Sequence, residues 1–319
     1  MSNILSKVRN VKGIRGVVYR AGQLQQRSAF ALRGVTEYLR LRSERNGHRP
    51  QIAAVIVGRN DDYMSDFMQR LRLTIAWNAH HLASEVIFVE WNPPPERELL
   101  SPALALEFPT LRAYVVPPEI HDAICENRNI KLLEYHAKNV GLRRAASPFI
   151  ITTNADAAFA FDSIRTILQT PLSDDLVLTT ERIDIPWREG REREINLFDC
   201  LRYRRLSPYY PSGTGEFHFA SRALWHRARG YDESMVRHRI GCDTRGIAQM
   251  IKLGAHVQKA GMVFHLSHPS SCIEGLQPHH GEWANADENL PYRNGDDWGL
   301  GDCREIEIAE RVWRLEKQG

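Results

Sequence analysis

The chain has 319 residues, of which 43% are hydrophobic and 25% charged, and its formal net charge is +3. This size and composition predict an ordinary soluble protein with one large α/β domain or two smaller ones. The five cysteines are widely spaced and form no Cys-x-x-Cys pair, which argues against a disulfide framework or a structural zinc site and favours a reducing cytoplasm. Neither a membrane-spanning run of about 18 apolar residues nor a signal peptide is recognisable.

The first 49 residues are strongly basic. They contain eleven Lys or Arg and two Glu, a local charge of +9 against a total of +3, which leaves about −6 for the remainder. Helical spacing before the Asn46–Pro50 break predicts a partly helical extension over residues 1–50. A basic arm predicts contact with an anionic surface, either membrane phospholipid or a polyanionic acceptor. A solvated leader without a partner is the alternative, and nucleic acid fits less well because no binding module is recognisable.

From residue 51 onward, strand-length apolar runs alternate with helical patterns. The run Gln51–Gly58 is continuously apolar, which is typical of a central parallel strand. The other early elements are predicted strands over 85–91 and 111–116 and predicted helices over 65–79 and 130–144. Strands separated by helices predict an α/β fold with a mostly parallel, doubly wound central sheet flanked by helices.

The later part of the chain is less regular. Its predicted elements are, in order, a helix over 162–169, a strand over 176–182, a loop over 183–210, a glycine-rich strand over 213–222, helices over 223–229 and 244–253, and a strand over 257–265. An amphipathic pattern predicts a last helix over Arg304–Lys317. The expected organisation is an extension over 1–50, a main domain over 51–275 with halves at 51–160 and 161–275, and a loop or lid with a helix over 276–319.

The stretch Asn139–Phe159 contains a helix, a turn, a strand and an acidic residue in succession. A helix ends, a Ser-Pro turn follows, and a β-branched run stops at Asn154-Ala155-Asp156. Open α/β sheets bind ligands at the carboxyl ends of their strands. A carboxylate at this position therefore predicts a ligand site.

Four segments between about Ala53 and His268 together resemble the GT-A fold glycosyltransferases, most closely the large inverting group called family 2. They are the first strand into Gly58-Arg59-Asn60-Asp61, the Asn139-x-Gly141 helix running into Asn154-Ala155-Asp156, the block from Gly215-Glu216-Phe217 to Gly230-Tyr231-Asp232-Glu233, and Cys242-Asp243 leading to Leu253-Gly254. The resemblance implies a GT-A, Rossmann-like fold with a nucleotide-binding half over 51–160 and an acceptor-binding half over 161–275.

The resemblance also implies a donor site. Gly58, Arg59 and Asn60 would lie beneath the nucleotide base, and the donor-binding set as a whole is Gly58, Arg59, Asn60, Asp61, Asn139, Asn154 and Asp156. Asp156 would bind the Mn²⁺ or Mg²⁺ that bridges the donor's two phosphates and stabilises the departing diphosphate as a Lewis acid. The family usually has Asp where this chain has Asn154, so Asn154 either contacts ribose or metal as a neutral oxygen donor, or leaves metal binding weak.

Two histidines follow the late strand. Some GT-A enzymes recruit a histidine there, so the resemblance implies His265 and His268 as further metal ligands, and imidazole suits manganese better than magnesium. The alternative is that both histidines are satisfied by hydrogen bonds in a polar loop.

Asp243 and Glu216 are the predicted catalytic residues on the acceptor side. In family 2 a carboxylate just before a helix takes the proton of the acceptor hydroxyl, and Asp243 occupies that place. An N-cap role for Asp243 is the alternative, as is a solvated strand-end position for Glu216. The tail around Trp298 is interpreted either as a lid with glycine hinges or as a turn anchored by that tryptophan.

These features predict a cytoplasmic, metal-dependent glycosyltransferase at the inner face of the membrane. It would move a sugar from a UDP-linked donor to a surface glycan, polysaccharide or lipid-linked acceptor, with inversion. Two alternatives remain: a catalytically inactive sugar-nucleotide-binding scaffold, for which Asn154 is the evidence, and a nucleotidyltransferase, which the missing glycine-rich, lysine-containing phosphate loop disfavours.

Overall fold

The computed structural model describes residues 50–61, 63–64, 66–186, 209–210, 215–237, 241–268 and 292–318. The predicted basic extension, except for Pro50, therefore lies outside the described residues. So do most of the loop predicted over 183–210 and the first part of the predicted C-terminal lid. Across the described ranges, no helix is both long and apolar enough to cross a membrane.

The first half alternates strands and helices, as the sequence predicts. Its strands are β1 (Ile52–Gly58), β2 (Glu85–Trp91), β3 (Leu111–Val116), β4 (Phe149–Asn154) and β5 (Ala157–Phe159). Its helices are α1 (Phe67–His81), α2 (Leu100–Glu107), α3 (Pro118–Ile124) and α4 (Glu134–Arg144). The short helices α2 and α3 were not predicted, and α3 begins with a proline that suits the first turn of a helix.

The second half contains more antiparallel strands. Its elements are α5 (Phe161–Gln169), β6 (Leu176–Pro186), β7 (Tyr209–Tyr210), β8 (Phe217–Ser221), α6 (Arg222–Ala228), α7 (Cys242–Lys252), β9 (His256–Ser267), β10 (Arg304–Ala309) and β11 (Val312–Glu316). Strand β6 continues to residue 186, beyond the predicted end at 182.

One sheet joins all these strands in the order β10-β11-β3-β2-β1-β4-β8-β6-β9-β5, with β7 on β6. The strands β3, β2, β1 and β4 run parallel, whereas β8 is antiparallel to both β4 and β6. Residues 52–56 of β1 are wholly inaccessible, because helices cover both faces of a central parallel strand. The mostly parallel sheet of the prediction thus describes the first half, and the whole sheet is mixed.

The helix predicted over Arg304–Lys317 is wrong. The structure has a β-hairpin there, with β10 antiparallel to β11 and β11 parallel to β3. Polar and apolar residues alternate through Arg304-Glu-Ile-Glu-Ile, a strand period that the helical interpretation overlooked. Arg311 turns the hairpin with a left-handed backbone, φ 61°, and Leu315 of β11 is fully buried in the core.

The segment before this hairpin packs against α4. Trp298 is buried, and the Arg143 guanidinium donates a hydrogen bond to its carbonyl. Gly299 has φ 64°, and a side chain there would collide with the Asn139 backbone. The backbone N–H of Gly299 also donates to Glu233 Oε1 at 2.8 Å. In this structure the segment around Trp298 is therefore held against α4 and Glu233.

Candidate active site

The carboxyl end of β4 holds the acidic residue that the sequence singled out. Strand β4 ends at Asn154, and a turn containing Asp156 leads into β5. β5 pairs with β9 so that Ala157 lies opposite His265, and β9 pairs with β6 so that His265 lies opposite Asp184. Strand register therefore aligns Asp184, His265 and the Asp156 turn in one row across the sheet.

Asp156, His265 and His268 form a compact cluster. His268 Nε2 lies 2.9 Å from Asp156 Oδ2, and His265 Nε2 lies 3.4 Å from the same oxygen. One ligand atom from each residue lies within 4.8 Å of the others. Asp156 and His265 are each 6% exposed, so bulk water has little access to the cluster.

The charges of Asp156, His265 and their neighbours shift each other's pKa values. Burial alone would raise the pKa of Asp156, but the charge and hydrogen bonds of the two histidines hold that pKa well below its usual range. Burial likewise opposes a charged His265, yet the carboxylates of Asp156 and Asp184 raise the pKa of His265 to about 9. In the metal-free protein the carboxylate is thus ionised and His265 carries the balancing proton.

These side chains fit a divalent metal. One carboxylate oxygen and two imidazole nitrogens converge, and imidazole ligands suit manganese better than magnesium. His265 Nδ1 meets Asp184 Oδ1 at 2.9 Å, which is the outer carboxylate that metal-binding histidines usually have. A metal bound here would replace the proton on the His265 Nε2 that faces Asp156.

An arginine joins this cluster to Glu216. Arg182 Nε donates to Asp184 Oδ1 at 2.8 Å and Arg182 Nη1 donates to Glu216 Oε1 at 2.7 Å. Glu216 is 7% exposed, and its other oxygen, Oε2, is buried without a hydrogen-bond partner among the described residues. A buried carboxylate oxygen without a donor is a costly arrangement that a ligand hydroxyl would relieve.

Asp243 lies near Gly215 and Lys138. It stands in the first turn of α7, whose N-cap is Gly241 with φ 86°, so the structure does not give Asp243 the N-cap role. Burial is the main cause that raises the pKa of Asp243, and the nearby Glu134 and Glu216 raise it further. A side chain at Gly215 would touch Asp243 and collide with Tyr135, so glycine keeps the approach to Asp243 open.

A buried lysine occupies the centre of the site. Lys138 of α4 is wholly inaccessible, and its ammonium donates to Glu134 Oε1 at 2.7 Å, Asn154 Oδ1 at 2.9 Å and the Gly215 carbonyl at 2.9 Å. These bonds use all three of its N–H groups. Lys138 engages one lone pair of the Asn154 oxygen, and the amide N–H groups of Asn154, which make no hydrogen bond to another described residue, can donate to a ligand.

Side chains of helix α1 donate hydrogen bonds to the backbone on both sides of Asp156. Thr74 Oγ1 donates to the Ala155 carbonyl at 2.7 Å, and Asn78 Nδ2 donates to the Ala157 carbonyl at 3.0 Å. Arg70 Nη1 donates to the Leu266 carbonyl at 2.6 Å, beside His268. One helix therefore fixes both segments that supply the cluster.

The predicted nucleotide loop lies close to the cluster. Arg59 pairs with Asp61 at 3.0 Å and its guanidinium stacks on Tyr63 at 4.2 Å. Burial, followed by the charge of Asp156, raises the pKa of Tyr63, which places this loop within electrostatic reach of Asp156. Asn60 Nδ2 donates to the Glu98 carbonyl at 2.7 Å. Gly58 ends β1 against the Phe67 ring, where a larger residue would clash.

The side chain of Asn139 is already engaged in three hydrogen bonds. Its amide nitrogen donates to the Tyr231 carbonyl at 2.8 Å and to Glu233 Oε1 at 3.0 Å, and its oxygen accepts from the Tyr231 N–H at 2.7 Å. The Asn139 amide thus holds the Gly230–Glu233 segment against α4. A donor contact from this amide would have to replace these bonds.

Sequence reasoning missed the supporting residues. Asp184, Arg182 and Lys138 were not predicted, although each contacts a predicted site residue. Arg70, which donates to the backbone between the two histidines, was not predicted either. The sequence does contain one indication of Arg182 and Asp184. They place two charged side chains on the same face at the end of a strand whose pattern otherwise predicts burial.

Solved structures resemble this architecture. The chain superposes on GalNAc-T7 in complex with UDP, GalNAc and Mn²⁺ with a TM-score of 0.50, over 76% of this chain and 48% of that one, at 14% identity. The chain has the GT-A glycosyltransferase fold. It spans about half the length of GalNAc-T7, and similarity at this identity bears on the fold alone.

A second solved structure matches less well, and two further comparisons found no match. A mannosyltransferase, PcManGT from Pyrobaculum calidifontis in complex with GDP-Man and Mn²⁺, matches with a TM-score of 0.43 over 84% of this chain and 72% of that one, at 15% identity. No protein-family model matches the chain, and no curated protein sequence matches it.

Proposed function

We propose that this protein is a metal-dependent glycosyltransferase. It would transfer a sugar from a UDP-linked donor to a surface glycan, polysaccharide or lipid-linked acceptor, with inversion. The observation that carries this proposal is the convergence of Asp156, His265 and His268 at the carboxyl end of β4 in a GT-A fold. The UDP and Mn²⁺ present in the GalNAc-T7 complex agree with that choice of donor and metal.

Asp156, His265 and His268 would hold the metal, Mn²⁺ in preference to Mg²⁺. The bound metal supplies Lewis-acid stabilisation of the charge that develops on the departing nucleoside diphosphate. Asn154 would contribute its amide N–H to the donor, the ribose being the natural acceptor of that bond, because Lys138 already engages one lone pair of its oxygen. Gly58, Arg59, Asn60 and Asp61 would line the base.

Asp243 would be the general base. As the acceptor oxygen attacks the anomeric carbon, the bond between that carbon and the diphosphate oxygen breaks and the hydroxyl proton passes to the Asp243 carboxylate. A pKa raised by burial makes this carboxylate a better proton acceptor than a solvated aspartate. Glu216 would accept a hydrogen bond from the acceptor through its unpartnered Oε2. Attack from the side opposite the leaving group gives inversion.

The basic residues 1–49 would hold the enzyme near an anionic membrane or a polyanionic acceptor on the cytoplasmic side. Their charge of +9 supports this placement. Sedimentation of the full chain with vesicles that contain anionic phospholipid, compared with a chain lacking residues 1–49, tests it. Binding that does not depend on the extension would refute this part of the proposal.

A nucleotide-sugar panel tests the function. Purified protein is incubated with UDP- and GDP-linked sugars, with and without Mn²⁺ and without acceptor, and release of the nucleoside diphosphate is measured. The proposal predicts slow, Mn²⁺-dependent hydrolysis of at least one donor, and its loss in Asp156→Asn. Binding of donor without hydrolysis, even when candidate acceptors are added, would instead indicate a sugar-nucleotide-binding scaffold.

A further inference from the structure

Asp184 lies outside the set of predicted ligands but beside one of them. Strands β6 and β9 are parallel, and their register places Asp184 directly opposite His265. On the other side of β9, the register with β5 places Ala157 opposite the same histidine. His265 therefore lies between Asp184 and the Asp156 turn, and its two ring nitrogens face different carboxylates.

The contacts of the His265 ring show which of its nitrogens faces Asp184 and which faces Asp156. His265 Nδ1 lies 2.9 Å from Asp184 Oδ1, whereas His265 Nε2 lies 3.4 Å from Asp156 Oδ2. An ionised carboxylate can only accept, so the Asp184 contact requires a proton on Nδ1. A neutral imidazole with a proton on Nδ1 has its lone pair on Nε2, the nitrogen that faces Asp156.

We propose that Asp184 is a positioning residue that reserves Nε2 of His265 for the metal, and that Arg182 holds Asp184 in place for this purpose. The inference rests on the proposed function, because it assigns a role toward the metal that Asp156, His265 and His268 would bind. Outer carboxylates of this kind orient metal-binding histidines and increase their basicity.

Arg182 connects Asp184 to Glu216, the residue that the proposed function places next to the acceptor. Its Nε donates to the same Asp184 oxygen that accepts from His265, and its Nη1 donates to Glu216 Oε1. Arg182 and Asp184 stand two residues apart on β6, so both side chains lie on one face of the sheet. One guanidinium thus fixes Asp184 beside the histidine and also one oxygen of Glu216, whose second oxygen has no hydrogen-bond partner within the described part of the chain.

A purely structural role for Asp184 would be a side-chain bond between β6 and β9, and the chain offers a matched control for it. Glu181 is also on β6 and pairs with Lys259 of β9 at 2.8 Å. Glu181→Gln removes a carboxylate that joins the same two strands and leaves the metal cluster untouched. If strand pairing alone matters, variants at residues 181 and 184 will behave alike.

The test measures Mn²⁺ affinity of the full chain by electron paramagnetic resonance of free Mn²⁺. Asp184→Ala is expected to weaken Mn²⁺ binding about 10- to 100-fold. Asp184→Asn, which keeps an acceptor oxygen, should retain part of the affinity, and Glu181→Gln should stay within about 2-fold of wild type. Should Asp184→Ala fail to fold, Asp184→Asn and Arg182→Lys carry the test, with a weakening expected in both.

The possible results separate this inference from the function on which it rests. If wild-type protein binds Mn²⁺ and the variants at residues 184 and 182 bind it within about 2-fold of wild type, the inference is wrong while the proposed metal site stands. Equal weakening in Glu181→Gln and Asp184→Asn also overturns it, because strand pairing would then explain both. Absence of Mn²⁺ binding in the wild type overturns the metal-dependent function itself.

Discussion

At the scale of single residues, burial and charged neighbours together determine which groups carry charge. Partial burial raises the pKa of Asp243, whereas Asp156 is more deeply buried but is held ionised by two histidines. The two aspartates therefore suit different tasks, one as a proton acceptor and the other as a metal ligand. The structure assigns these environments through neighbours that come from distant parts of the chain.

Asp243→Asn should retain donor binding but lose at least about 100-fold in turnover, because the amide cannot accept the acceptor proton. Steady-state transfer rates and donor affinity by calorimetry measure the two effects. Asp175→Asn, at an exposed position before β6, is the control and should keep wild-type rates. Transfer by Asp243→Asn at near wild-type rates would exclude Asp243 as the base.

Two buried histidines predict how stability depends on pH. Burial lowers the pKa of His136 to about 4, and burial together with the charge of Lys138 lowers that of His218 to about 3. Unfolded histidines titrate near pH 6.5, so between about pH 6.5 and 4 the unfolded chain binds protons that the folded chain does not. Stability should therefore fall as pH drops through this range, by up to about 1.4 kcal/mol per pH unit for each histidine.

Denaturant unfolding at several pH values checks this expectation. His218→Gln should reduce the pH slope of the unfolding free energy, whereas His256→Gln, at an exposed position, should leave the slope unchanged. A slope in His218→Gln equal to that of the wild type would contradict the assignment. Comparing slopes avoids confusion with the direct loss of the bond from His218 to Tyr231.

At the scale of elements, helix α1 supports the metal site more than its apolar face alone would suggest. Asn78 is fully buried; it donates to the Ala157 carbonyl and accepts from the Phe159 N–H at 3.0 Å. Trp77 Nε1 donates to the Phe159 carbonyl at 2.8 Å. These bonds satisfy the backbone of the short strand β5, the strand that sets the position of Asp156.

Asn78→Leu should lower the free energy of unfolding by about 2–4 kcal/mol, since it leaves buried backbone groups without partners. It should also weaken Mn²⁺ binding, because the Asp156 turn loses its support. Gln69→Leu, at an exposed position on the same helix, should change stability by less than about 0.5 kcal/mol. Equal effects at the two positions, measured by denaturant unfolding, would show that α1 does not support β5 in this way.

The C-terminal hairpin belongs to the core. Leu315 and Val312 are fully buried and β11 pairs with β3, whereas Ile308 of the edge strand β10 is 42% exposed. Leu315→Ala should therefore cost about 2–5 kcal/mol of unfolding free energy, and Ile308→Ala about 0.5 kcal/mol or less. A small effect of Leu315→Ala would mean that the hairpin is not integrated in the folded domain.

At the scale of the whole molecule, local pattern predicted the parallel half well and the later half less well. Continuous apolar runs located β1, β2, β3 and β4 because a strand buried on both faces has a distinctive composition. The hairpin at the C-terminus was misread as a helix because its alternating strand period was overlooked. Its pairing with β3 joins segments about 200 residues apart and is visible only in the assembled sheet.

The candidate site was predicted in part for the same reason. Asp156, His265 and His268 could be proposed because a family resemblance named their positions. The contacts that orient them depend on the register between β6 and β9 and on the polar face of α1. Register is a property of the assembled sheet. Arg182 and Asp184 could therefore be noticed in the sequence as a charged pair, but the contact of Asp184 with His265 could be recognised only in three dimensions.

In the proposed function, Asp156 and His268, which are 112 residues apart in sequence, bind one metal ion together with His265. Titration of Mn²⁺ into the wild type and into the His265→Ala, His268→Ala double variant tests it most directly. The account predicts that the wild type binds Mn²⁺ and that the double variant, left with one carboxylate ligand, binds it at least about 100-fold more weakly. Mn²⁺ affinity that is unchanged in the double variant would remove both histidines from the site and contradict the account.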